Sequence, residues 1–219
     1  MAMQTSNRIG VPRAEKALTE ALIQEQSRLM RPGPGRSRVF IAEVGLGVGR
    51  PDALLISISL TGLIARKEVG LRLPNLSHAR VLDSIRAGRG SRYSKGHERL
   101  LTGELLELGW INRRGEINAT PNLIHQSLLV EAKIADWRTG IRQLSRARWA
   151  AEHAALLLPR EAQHRVPRAT LKHNRIGLLS ETNGSIKWQI RPPRKTMPWF
   201  ASIWLTELAI RAHEAGGFS

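Results

Sequence analysis

The sequence predicts an α/β fold: a central mixed β-sheet flanked by helices, with a mainly helical module inserted into it. Three observations carry that expectation. VFIAEV (Val39–Val44), the apolar part of Pro51–Ser59, and SLLVEAKI (Ser127–Ile134) are apolar runs of strand length. Helical apolar periodicity stands on either side of them. Between the second and third runs, residues 60–126 lose most of their strand character and read mainly as helices closed by a small hairpin.

Residues 1–10 are polar and form no clear element. Pro12 suits a first helical turn. Ala14, Leu18, Leu22 and Leu29 then mark an amphipathic helix over Val11–Met30, stopped by Arg31-Pro-Gly-Pro-Gly-Arg36. In the first strand Val39, Ile41 and Glu43 fall on one face, so a glutamate stands at an inward position. Gly45, Gly47 and Gly49 follow. They lack the lysine and Ser/Thr of a phosphate-binding loop and read as a hairpin turn. In the second strand Asp52 shares a face with Leu54, Ile56 and Ile58. Taken alone, Asp52 is an ordinary turn residue before a strand.

Residues 60–75 read as irregular or as one more short strand. Helices are expected over Ser77–Gly88 and Ser94–Ile111, the latter ending near Gly109. Trp110 to Ala119 reads as a hairpin with Arg113 and Arg114 at its tip.

The third strand is the informative one. Successive side chains of a strand point to opposite faces, so Leu129, Glu131 and Lys133 share one face and Leu128, Val130, Ala132 and Ile134 the other. Desolvating a glutamate and a lysine on a buried face is costly unless they pair or have a task. A helix is expected next, over Asp136–Leu158, with Trp137, Ile141, Leu144, Ala151, Ala155 and Leu158 as its buried stripe. Arg138, Arg142 and Arg146 recur every four residues on it, without acidic partners at the pairing distance. A basic segment leads to a strand at Arg175–Ser180, a Thr182-Asn183-Gly184-Ser185 turn, a partner strand at Ile186–Ile190, and a last helix over Pro198–Gly216.

The 219 residues carry a formal net charge of +16, which points to a polyanionic partner, nucleic acid first and an anionic membrane surface second. There is no cysteine, which excludes disulfides and cysteine-ligated zinc. The histidines are scattered, with no HExxH pair, and no nucleophile elbow supports serine hydrolysis. No apolar run suits a membrane span, and the first residues lack the apolar core of a signal peptide. A cytoplasmic protein without a membrane partner is expected.

Glu43 on one strand, Pro51-Asp52 on the next, Glu131-Ala132-Lys133 on the third and a helix directly after resemble the PD-(D/E)XK nuclease superfamily. Its restriction-endonuclease-like core would here comprise residues 11–59 and 127–195. Residues 60–126 would form the insertion, which resembles a winged-helix module, and residues 196–219 a C-terminal helix. The resemblance implies a metal-dependent endonuclease cutting DNA. Asp52, Glu131 and Lys133 would be catalytic, and Glu43, Asp52, Glu131 and the Ala132 carbonyl would ligate Mg2+ or Mn2+. Carboxylates are the natural hard ligands of such ions. Gln143 resembles an accessory glutamine of some branches, although Ala147 stands where those branches place an aromatic. Arg113, Arg114, Arg138, Arg142 and Arg146 would contact nucleic acid. A homodimer or a partner nuclease subunit is implied for double-strand cleavage. The rival readings are a non-catalytic winged-helix DNA-binding protein and an RNA-cleaving nuclease.

Overall fold

Six strands pair in the order in which they occur in the chain. They are β1 (Arg36–Ala42), β2 (Ala53–Ser59), β3 (Ile124–Ala132), β4 (His153–Pro159), β5 (Gly177–Thr182) and β6 (Ser185–Ile190). The structure is a computed structural model that describes residues 10–46, 49–118 and 122–215. Strands β1 to β3 form an antiparallel meander, β4 and β5 add on parallel, and β6 turns back antiparallel. Parallel neighbours need crossover connections. These are α5 (Trp137–Ala147) between β3 and β4, and α6 (Arg168–Asn174) between β4 and β5.

Both faces of the sheet are covered. Leu54, Ile56, Leu129, Leu156 and Leu178 lie with Ile141 and Leu144 of α5, Leu171 of α6, and Leu205 and Ile210 of α7 (Trp199–Glu214). On the other face Leu55, Leu128, Val130, Leu157 and Leu179 lie with Leu18, Leu22 and Leu29 of α1 (Gly10–Leu29). The alternation expected in the third strand is therefore present, with Leu129 and Leu128 in opposite layers.

The expected helix over Asp136–Leu158 is corrected. The helix stops at Ala147, a 3-10 turn spans Arg148–Ala150, and the rest is β4. A continuous apolar run such as AALLL reads equally well as buried helix or as a parallel strand covered on both faces. Ala155 and Leu158 are buried as expected, but in opposite layers of the sheet. Arg148 ties the turn down. It donates to the carbonyls of Ala151 (2.5 Å) and Glu152 (2.8 Å).

Residues 60–75 also differ from expectation, since α2 (Leu60–Glu68) begins there. Ser59 caps it, its hydroxyl accepting from the Gly62 N–H at 3.2 Å. Asn75 caps α3 (Leu76–Arg86) and Ser94 caps α4 (Lys95–Glu107). Gly88 (φ 59°) and Gly109 (φ 74°) take the left-handed conformation just past the last two helices. A bridge between Ile111 and Ile117 closes the small hairpin around Arg113 and Arg114. Ala119, and the glycine loop at Gly47 and Val48, lie outside the described residues.

Leu73, Val81, Leu82, Leu101, Leu105 and Trp110, all within residues 60–126, form a third apolar cluster, and Ile203 and Trp204 of α7 complete it. Glu207 of α7 fixes the join. It is buried, accepts from the Leu73 N–H at 3.1 Å, and pairs with Arg72 (3.3 Å) and Arg211 (3.1 Å). Helix α7 thus belongs to the sheet core and to the insertion core alike.

Candidate active site

The site begins with register. Ala53 of β2 stands opposite Val130 of β3. Asp52, one residue earlier, therefore arrives beside the end of β3. Its Oδ2 accepts the Ala132 N–H at 2.7 Å. Glu131 is on the face of β3 that packs toward α5 and is only 1% exposed. Its Oε1 lies 2.8 Å from the Lys133 Nζ. The Lys133 N–H donates to the Leu157 carbonyl at 3.0 Å, so β4 holds the backbone just past the strand end. Residues far apart in the chain are joined here by strand pairing and by the Asp52 carboxylate.

The electrostatics follow from burial. Desolvation pushes the Glu131 carboxyl up to about 7, although the hydrogen bond from Lys133 opposes it; the nearby Asp52 charge adds to the rise. For Lys133, burial pulls the ammonium down. The hydrogen bond and charge of Glu131, with the charges of Asp52 and Glu15, outweigh that and raise it. Lys133 therefore stays charged at neutral pH, and Glu131 is the group that titrates there. The second Glu131 oxygen, Oε2, is buried without a hydrogen-bond partner. An orphaned buried acceptor costs about 1–3 kcal/mol, and a ligand would relieve it.

Glu15 is the residue that sequence reading missed. Its Oε2 lies 3.9 Å from the Lys133 Nζ. It comes from α1, on the opposite side of the sheet from α5, so Lys133 meets carboxylates from both layers. Nothing in the spacing of α1 marks it, since an exposed polar position of an amphipathic helix commonly holds a glutamate.

Helix α5 presses on the pair through Gly140. A Cβ there would stand 2.6 Å from Leu156 Cδ1, 3.1 Å from Lys133 Cγ and 3.6 Å from Glu131 Cγ. Asp136 caps the helix by accepting the Thr139 N–H at 3.1 Å, and the Thr139 hydrogen bonds hold its carboxyl below the usual range. Gly140→Ala gains about 1 kcal/mol of helix propensity, yet overpacking against a buried leucine costs about 1–3 kcal/mol. A net loss of stability is expected in urea unfolding, with the Lys133 side chain displaced. An unchanged midpoint would contradict this packing.

The other expected site residues are placed as follows. Glu43 is not on the strand. β1 ends at Ala42, and Glu43 takes φ 47° with an exposed side chain, its N–H donating to the Asp52 carbonyl at 3.0 Å. No hydrogen bond or ion pair among the described residues joins its carboxylate to Glu131 or Lys133. Gln143 is half-buried on α5, one turn beyond Gly140, and its Oε1 is buried without a partner. Arg138, Arg142 and Arg146 are exposed along α5, and Arg113 and Arg114 are exposed at the hairpin tip. Among the described residues none of these five arginines pairs with a carboxylate.

The oxygens of Asp52, Glu131 and the Ala132 carbonyl are hard donors, of the kind that would suit Mg2+ or Mn2+. The orphaned Glu131 Oε2 fits that use. Among the described residues no group of three or more histidine, cysteine, aspartate or glutamate side chains gathers closely enough to hold a metal ion.

No family model matches the chain. No curated protein matches it either. Among solved structures it is similar to the SPO1766 protein of unknown function from Silicibacter pomeroyi, at 10% identity and a TM-score of 0.42, over 99% of this chain and 90% of that one. A likeness of that size carries no argument about function. The chain is an α/β protein with a mixed six-stranded sheet, and no described helix is long and apolar enough to cross a membrane.

Proposed function

We propose that the chain is a Mg2+- or Mn2+-dependent endonuclease that hydrolyses phosphodiester bonds in DNA. The observation that carries this reading is the convergence of Asp52, Glu131 and Lys133 at the end of β3, locked by the Asp52–Ala132 hydrogen bond. Helix, antiparallel meander, crossover helix and parallel strand follow one another in the order that the PD-(D/E)XK resemblance implies, which supports it further. Asp52, Glu131 and the Ala132 carbonyl would hold the ion, with Glu15 and Glu43 as further acids nearby in the fold or on its rim. The ion supplies an activated water and neutralises charge on the scissile phosphate when bound.

The residues of the chain do the rest. Lys133 is held protonated, so it donates: it orients the attacking water and stabilises the negative charge that grows on the phosphate. Glu131 must be ionised to serve as a ligand, which its raised pKa delays until near neutrality. The arginine row of α5 lies on the helix that begins just after Lys133, where it supports backbone phosphate contact. The insertion, with three helices and a closing hairpin, supports a winged-helix-like role in DNA binding through Arg113 and Arg114. A second copy or a partner nuclease subunit would serve the second strand, in the cytoplasm.

The test is nicking of supercoiled plasmid with Mg2+ or Mn2+, with an RNA substrate run beside it. Asp52→Asn keeps an acceptor for the Ala132 N–H but removes the charge. It is expected to reduce cleavage at least about a hundredfold while salt-sensitive DNA binding persists. Tight binding by the wild type with no cleavage of either nucleic acid would overturn the reading in favour of a non-catalytic binder. Cleavage confined to RNA would move the substrate.

A further inference from the structure

A cavity of about 460 Å3 lies where the inserted module meets the core, between α3 with the loop after it, the turn after α5, and α7. Its lining brings together three aromatic rings, Tyr93, Trp149 and Phe200, and three arginines, Arg80, Arg89 and Arg92. Trp149 and Phe200 stack with ring centroids 5.3 Å apart and planes 30° from parallel. The Arg80 guanidinium stands 5.5 Å from the Trp149 centroid and 5.6 Å from that of Phe200. The loop adds Tyr93, with Arg92 at 5.7 Å from its centroid. It also adds Arg89, which is paired at 3.0 Å with Asp83, the one carboxylate in the lining. The indole N–H of Trp149 is buried without a hydrogen-bond partner.

These groups select a ligand by chemistry. Aromatic faces beside guanidinium groups favour a flat π-rich ring. Three arginines against one carboxylate leave two positive charges over, which favours phosphate more than a single carboxylate. The volume falls within the range of small-molecule sites, about 300–1,000 Å3.

We propose that this cavity binds a nucleotide, with its base against the Trp149–Phe200 wall and its phosphate on Arg89 and Arg92. The site is separate from the Glu131–Lys133 pair. Trp149 follows the last turn of α5 and Lys133 precedes the first, so the length of an 11-residue helix, about 16 Å, stands between them. A ligand here bridges α3 and its loop to α7 and the α5 turn. It therefore couples the position of the insertion to the helix that packs on the catalytic pair. The nucleotide is either free or part of a nucleic-acid strand.

The probes are ATP and AMP in isothermal titration, and a fluorescein-labelled single-stranded oligodeoxynucleotide in anisotropy, both in EDTA. Arg92 is exposed, so Arg92→Glu leaves folding intact, and Arg80→Ala is checked by thermal unfolding. Saturable ATP or AMP binding, weakened about tenfold or more by both variants and unchanged by Asp52→Asn, is the result expected for a free nucleotide. Absent that, oligonucleotide affinity lowered about tenfold by Trp149→Leu, with its salt dependence unchanged, assigns the cavity to a base within a strand. If neither probe responds to these variants, the proposal is overturned. Because all binding is read without metal, a failure of the plasmid assay leaves this result standing, and the reverse.

Discussion

Lys133→Ala is expected to remove metal-dependent cleavage and to weaken the fold by about 3–5 kcal/mol at pH 8, the cost of stripping a buried charge of its partner. Lys133 is the counter-ion of a carboxylate that is 1% exposed. Without it Glu131 has two ways out, unfolding or protonation. Protonation is the easier where protons are plentiful, so the loss should shrink as the pH falls toward 6. Urea unfolding at pH 6 and pH 8 measures this directly. A loss that is equal at both, or absent at both, would show that the pair does not carry the charge balance of the site. Lys133→Arg should not rescue cleavage, since a planar guanidinium does not reproduce a compact ammonium.

The second large effect belongs to Glu131→Gln. In the folded chain the Glu131 carboxyl is raised to about 7 by burial, against an ordinary value of 4.5. Between those two values the folded state holds a proton that the unfolded state has released. Stability therefore falls as the pH rises through that window, by about 3 kcal/mol in all at about 1.4 kcal/mol per unit. Lys133, whose pKa is also raised, adds a contribution that is lost only above its own alkaline range, outside this window. Glutamine cannot titrate, so the variant should lack the Glu131 part of this decline, and the stability of the wild type relative to the variant should fall between pH 5 and 7. Half-buried His125 and His153, whose pKa values are lowered by desolvation, add a rise with pH that is common to both. Cleavage should fall at least about a thousandfold, because an amide is a poor ligand for a hard cation. Wild-type cleavage should rise with pH through about 7, as the ligand ionises. A wild-type stability that does not fall relative to the variant over the same interval would contradict the burial argument.

Much of this was legible in the residues. The two-residue period of SLLVEAKI placed Leu129, Glu131 and Lys133 together, and burial of one face made any error of phase expensive. Thr182-Asn183-Gly184-Ser185 announced its turn, with Asn183 at φ 50° and Gly184 at φ 79°. The rest was hidden for physical reasons. AALLL carries no period, so β4 merged into the helix before it. Glu43 was read one residue too far into a strand, because nothing local signals that a glutamate will take a positive φ. Glu15 was invisible because its importance comes from a contact across the sheet. The cavity beside Trp149 could not be read either, since its walls come from three separate segments.

The double membership of α7 has a consequence for how the chain is made. Glu207 accepts from the Leu73 N–H across a separation of 134 residues. Closing so long a loop is entropically expensive and slow compared with forming local helices. During synthesis α2 to α4 and β1 to β3 emerge long before α7, with Trp110, Leu101 and Leu105 still lacking their cover. The insertion is completed when Ile203 and Trp204 arrive. Until then its apolar face lacks the cover that α7 supplies, so this part of the core is completed only after a segment far in sequence has been made.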